Sequence, residues 1–282
     1  MKPSVRILLL ASFFSLSGLR PVAADPGPGD LLVAPTRVVF EGRDRNAEIT
    51  LVNTGPTPAT YRITFVELRM DEHGGTREIA AAEAEPNELT ASGLIRYFPR
   101  QVVLEPLVAQ TVRLQLRKPE GLAEGEYRSH LLLRAVPEGD PAEGDPAGPG
   151  AAAGIAIDLK AIFGISVPVI VRHGETAAEA RLADLRLLPG KEGALAALSF
   201  RLERSGNRSL YGNLKATLTP RGGKPLVVAA ANGVALYTPN LARRSALELS
   251  LPAAPGELKG ELRLAYATPA GEILAETLLV LP

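Results

Sequence analysis

The side chains that could do covalent or metal chemistry are few and badly spaced for it. Three histidines occur, His73, His130 and His173, and no two stand at a metal-ligand spacing such as HxxxH. Cysteine is absent, which removes disulfides, thiol nucleophiles and cysteine-ligated metals together. No GxSxG elbow and no phosphate-binding glycine loop is present. The scattered Asp and Glu mark no glycosidase pair. The expectation is a protein without catalysis, cofactor, metal or small-molecule substrate. Its work must then lie in a binding surface.

One stretch is suited to that work. In GIAIDLKAIFGISVPVIVR, Gly154 to Arg172, the odd positions Ile155, Ile157, Leu159, Ala161, Phe163, Ile165, Val167, Val169 and Val171 are all apolar. Among the even ones stand Asp158, Lys160, Gly164, Ser166, Pro168 and Arg172. Period two is the signature of a strand with one buried face. At roughly 3.3 Å per residue this strand would exceed about 50 Å, several times the usual length. Something must cover so long an apolar face. A strand packed between two sheets of its own domain is the plain answer; a strand partly kept for another protein is the other.

Around this stretch the chain is strand-like throughout. LLVAPTRVVF, NAEITLVN, ATYRITFVEL, LIRYFPRQVVL, TVRLQLRK and GEYRSHLLLRAV precede it, separated by Gly, Pro and Asn breaks. With the long strand they make seven, the pattern of an immunoglobulin-like sandwich. The Ala/Glu-rich IAAAEAEPNEL is interrupted by Pro86 and reads as loop. Residues 138–154, rich in Gly, Pro and Ala, offer no large apolar side chain and read as a mobile loop. After HGETAAEA a second series of seven strands runs from about residue 175 to 282, with a hairpin signal at Gly222-Gly223. The expected fold is therefore all-β, with two immunoglobulin-like β-sandwich domains, 30–172 and 175–282, meeting at an angle.

The first 24 residues carry Lys2 and Arg6, an apolar run from Ile7 to Phe14, and Val22-Ala23-Ala24 before Asp25. That is the form of a cleaved signal peptide. Its removal takes three of the 31 basic residues, Lys2, Arg6 and Arg20, leaving 28 against 31 acidic ones. A nearly neutral chain with scattered cations has no electrostatic footprint for nucleic acid.

In this order the features resemble the PapD-like periplasmic chaperones of pilus assembly. The resemblance lies in APTRVVFEGRDRNAEITLVNTG, LIRYFPRQVVLEP, TVRLQLRKPEGLAEGEYRSHLLLRAVP and FGISVPVIVR, and it covers about residues 30–172. It implies a periplasmic chaperone that lends its seventh strand to immunoglobulin-like pilus subunits and hands them to an outer-membrane usher. Ile155, Ile157, Leu159, Phe163 and Ile165 would then be donor residues. The resemblance also implies that Arg37 grips the client's terminal carboxylate. The family's partner Lys on the seventh strand is missing here. Lys160 stands several residues early. Arg172 stands late, where it could serve a polar contact between domains. A structural or adhesive two-domain protein is the competing reading.

Overall fold

The computed structural model describes residues 30–136, 163–190, 196–251 and 259–281. Ten strands make the first half: β1 (Leu31–Ala34), β2 (Val38–Phe40), β3 (Asn46–Asn53), β4 (Ala59–Met70), β5 (Thr76–Ile79), β6 (Ile95–Phe98), β7 (Gln101–Leu104), β8 (Ala109–Leu116), β9 (Gly125–Val136) and β10 (Gly164–His173). One sheet runs β1-β3-β8-β6; the facing sheet runs β2-β10-β9-β4-β5, with β7 also paired to β4. These described strands all pair antiparallel except β2 with β10, where Val38, Val39 and Phe40 lie level with Val169, Ile170 and Val171. Between the sheets the alternate residues of each strand interdigitate, among them Ile49, Leu51, Ile63, Val112, Leu114, Leu131, Leu133, Val169 and Val171. Each such side chain contributes about 1.5–3 kcal/mol by leaving water.

Two runs expected as single strands are each broken by a proline. LLVAPTRVVF becomes β1 and β2 around Pro35, and LIRYFPRQVVL becomes β6 and β7 around Pro99. Proline has no N–H to offer a ladder, so pairing stops there, and in both cases the chain crosses to the opposite sheet. The short edge strand β5 was not expected. The segment after it is loop apart from two single 3₁₀ turns, Ala81–Glu83 and Ser92–Leu94.

The second half has the seven expected strands: β11 (Ala178–Leu188), β12 (Ala197–Gly206), β13 (Leu210–Pro220), β14 (Leu226–Leu236), β15 (Ala242–Glu248), β16 (Gly260–Ala267) and β17 (Ile273–Leu281). They form the sheets β11-β12-β15 and β14-β13-β16-β17. The fold is thus two β-sandwiches in succession. Leu198, Leu202, Leu214, Leu218, Leu262, Leu264 and Tyr266 lie in the second core. That core also buries Met70 and Ile170 from the first half, with Val39 packed beside them. The two halves therefore share an apolar contact rather than only a linker. Among the described residues, no helix is long and apolar enough to cross a membrane.

Candidate functional site

The site is built on β10. Its antiparallel partner β9 runs beside it from Gly164↔Arg134 to His173↔Gly125. On its other side β2 reaches only Val169, Ile170 and Val171. From Gly164 to Pro168 no described strand pairs with that side. The amide of Ala135 donates to the carbonyl of Phe163 at 3.0 Å. Odd residues of β10 thus turn their backbone groups toward β9, and the even ones Gly164, Ser166 and Pro168 turn theirs away. An unpaired edge of this kind is a template for another strand.

Side chains along β10 divide in the same place. Val167, Val169 and Val171 are fully buried in the first core, and Ile165 is half-buried against it. Phe163 is 54% exposed. The home core therefore covers the odd face up to Ile165 and leaves Phe163 in water. Ile155, Ile157, Leu159 and Lys160 lie outside the described residues, as does the loop at 138–154.

The even face of β10 looks toward the second half, and it forms three rows across the strands. Stepping back one residue from the Val38↔Val169 register places Arg37 level with Pro168, which itself pairs with His130. The next row is Val39, Ile170 and Arg128, and the third is Glu41, Arg172 and Glu126. Successive rows stand about 7 Å apart.

The third row is closed. Arg172 Nε donates to Glu126 Oε2 at 3.2 Å and its Nη1 to Glu41 Oε2 at 3.0 Å. The Glu126 side chain is wholly buried, and its Oε1 accepts from the backbone amide of Ser209 in the second half at 3.1 Å. Lys118 Nζ donates to the Arg172 carbonyl at 3.1 Å. Arg172 thus contacts both first-half carboxylates, and through Glu126 the row reaches the second half.

The first row is open. Arg37 is half-buried, with its guanidinium 4.5 Å from the ring centroid of Tyr211 and its Nη1 donating to Tyr237 Oη at 3.3 Å. The Arg128 guanidinium lies 4.4 Å from the Tyr237 centroid, and its Nη1 donates to the Leu68 carbonyl at 3.0 Å. His130 is 3% exposed and meets Tyr237 edge-on at 6.0 Å. Burial, and then the charges of Arg128 and Arg37, push the His130 pKa down to about 3, so the ring is neutral at pH 7. Burial likewise lowers Arg128, and nearby Tyr237, Glu126, Glu67 and Glu88 partly restore it. Among the described residues, three buried nitrogens here have no hydrogen-bond partner: Arg37 Nη2, Arg128 Nε and His130 Nδ1.

The other histidines are remote from this row. His73 is exposed in the β4–β5 turn beside Glu72, and His173 lies by Lys118 at the end of β10. The residues that the sequence reading missed are Arg128 and His130. The available signal was Glu126, Arg128 and His130 at alternate positions of one strand, which puts three ionisable groups on one face. Among the described residues no cluster of His, Cys, Asp and Glu could hold a metal ion.

No family model matches the chain, and no curated protein matches it. Solved structures do resemble it. A YadV chaperone is 12% identical with a TM-score of 0.44, over 89% of this chain and 100% of that one. The CupB2 chaperone of Pseudomonas aeruginosa is 12% identical with a TM-score of 0.43, over 88% and 98%. The CsuC–CsuE chaperone–tip adhesion subunit pre-assembly complex of Acinetobacter baumannii is 14% identical with a TM-score of 0.43, over 88% and 96%. At such identities and scores, function rests on the geometry of β10 and its three rows.

Proposed function

We propose that this protein is an exported, periplasmic chaperone that binds immunoglobulin-like pilus subunits by lending them β10, for delivery to an outer-membrane usher. The observation that carries the reading is the side of β10 from Gly164 to Pro168 with which no strand among the described residues pairs, continued by the exposed Phe163. Ile155, Ile157 and Leu159 extend the same apolar alternation in the sequence. A subunit lacking its last strand exposes a groove with an open edge. A lent strand satisfies both, through main-chain hydrogen bonds and alternate apolar side chains.

The geometry also supports an orientation. A strand added beside β10 meets β2 at Val38, so it must stop or turn at Arg37. If it runs parallel to β10, its C-terminal carboxylate arrives there; if antiparallel, its N-terminal ammonium does. Arg37 favours the first by charge, and a guanidinium fork suits a carboxylate. Lys160 lies outside the described residues and stands eight positions before Pro168 in the sequence, and Arg172 is already held by Glu126 and Glu41.

The test is Phe163→Asp, co-expressed with a pilin-type subunit that lacks its last strand. Phe163 is exposed at home, so the variant should melt within about a degree or two of the parent. It should nevertheless lose the subunit, because an unpaired carboxylate in an apolar groove is costly. If the variant retains the subunit, or the parent never captures one, the reading fails and a structural or adhesive role replaces it.

A further inference from the structure

We infer that Arg128 and His130, both from β9, complete with Arg37 the anchor for the client's terminal carboxylate, in place of a lysine on β10. The inference rests on the reading of β10 as a lent strand, and it assigns residues to one end of that interaction. Its basis is the pattern of unpartnered nitrogens among the described residues. Buried polar groups are nearly always paired, yet Arg37 Nη2, Arg128 Nε and His130 Nδ1 are buried without partners. All three belong to two adjacent rows on one face, and all three side chains contact or approach the Tyr237 ring.

The nearby carboxylates do not fill the gap. Glu126 is taken by Arg172 and Ser209. Glu67 accepts from Ser129 Oγ at 2.8 Å, and Glu88 is paired with Arg69. Between Arg37 and His130 stands Pro168, so β10 itself supplies no cation to this row. A carboxylate above Pro168 would face Arg37 from one neighbouring strand and His130 from the other, with Arg128 one row below. The β2 terminus explains why a chain end should arrive at this spot, as argued above. The half-buried Arg37 and Tyr211 form the open side of the cluster.

Neutral His130 serves as its Nδ1–H tautomer, in which Nδ1 carries the proton and donates it to the anion. Arg128 contributes by charge and by its free Nε–H. This division makes Arg37 the group that the client meets first, and Arg128 and His130 the groups that fix the carboxylate's position.

The experiment uses the full mature chain and two probes. The first is acetate alone, titrated against sodium chloride of equal ionic strength and followed at the imidazole of His130 by ¹H–¹⁵N correlation. The second is an acetylated peptide of alternating Val and Thr, compared with its C-terminal amide. The expected results are a saturable acetate shift at His130 and a preference of about tenfold for the free carboxylate, the size of a charge-assisted hydrogen bond. Arg128→Gln should cut that preference to about threefold or less, and Arg128→Lys should restore part of it, which a purely structural role for the guanidinium would not do. His130→Phe should weaken it while leaving peptide binding through the β10 edge. If acetate leaves His130 unmoved, or Arg128→Gln keeps the full preference, the inference is overturned. Equal binding of acid and amide overturns the anchor yet leaves the lent strand standing. An acetate response at His130 with neither peptide bound supports the anchor and removes the lent strand instead.

Discussion

The two ends of one sheet face differ in how their charges are met. At the β10 C-terminus, Arg172 sits between Glu41 and Glu126, and the row is complete within the protein. Two rows away, Arg37 and His130 keep unpartnered nitrogens, and no carboxylate shares their row. Val39 and Ile170 form the apolar band between the two, packed on the second core. A large difference in exposure to solvent would blur the contrast, but the Arg172 side chain is 10% exposed and His130 3%. A buried charge left unpaired is costly. The closed row therefore reads as structure holding the two halves together, and the open row as a site prepared for an anion.

The largest expected effect comes from breaking the closed row. Glu126→Ala strands Arg172 and the Ser209 amide in a buried place, and should cost about 3–5 kcal/mol in urea unfolding. Glu41→Gln, half-exposed at the rim, should cost about 1 kcal/mol or less. Comparable losses for the two would mean that the burial of Glu126 is unimportant.

A smaller effect belongs to His130 and depends on pH. In the folded protein its pKa is about 3, against 6.5 for an ordinary histidine. Between those values the unfolded chain takes a proton that the folded ring refuses. Stability from this group is complete above about pH 6.5 and falls as pH drops toward 3, by at most about 1.4 kcal/mol per pH unit. His130→Phe should remove that slope, measured as the urea midpoint between pH 7 and pH 4.5. An unchanged slope would show that the ring is not held neutral.

How much of this was legible in the sequence follows from the kind of signal each part leaves. Alternation fixed most strands, because one buried face imposes period two on residues such as Val112, Leu114 and Leu116. The proline breaks at Pro35 and Pro99 were visible as residues, but the crossing to another sheet was not, since it depends on which edge is free in three dimensions. Strand β5 is four residues with three exposed, too short for periodicity to register. Arg37 was singled out as a carboxylate anchor through the resemblance of TRVVF and its surroundings. Arg128 and His130 were not, because their meaning comes from β2 and from Tyr237, about a hundred residues further along the chain. Register across three strands, rather than spacing along one, creates that site.

The smallest expected effect on stability sharpens the open row. Arg37→Met gives up contacts with Tyr211 and Tyr237 but also removes a charge from beside Arg128 and His130. The two changes oppose each other, and the net should stay within about 1 kcal/mol. Client affinity should nevertheless fall by about tenfold or more. A variant that loses stability as Glu126→Ala does would place Arg37 with the structural row.

The central claim is that the side of β10 from Gly164 to Pro168 is open at home and filled by a client. Amide hydrogen exchange at Gly164 and Ser166 measures it directly, with Val167 as the internal reference bonded toward β9. The account predicts fast exchange at Gly164 and Ser166 in the free protein, slow exchange at Val167, and protection of the first two when a pilin-type subunit lacking its last strand is bound. Slow exchange at Gly164 and Ser166 in the free monomer, or no gain in protection in the complex, would contradict it.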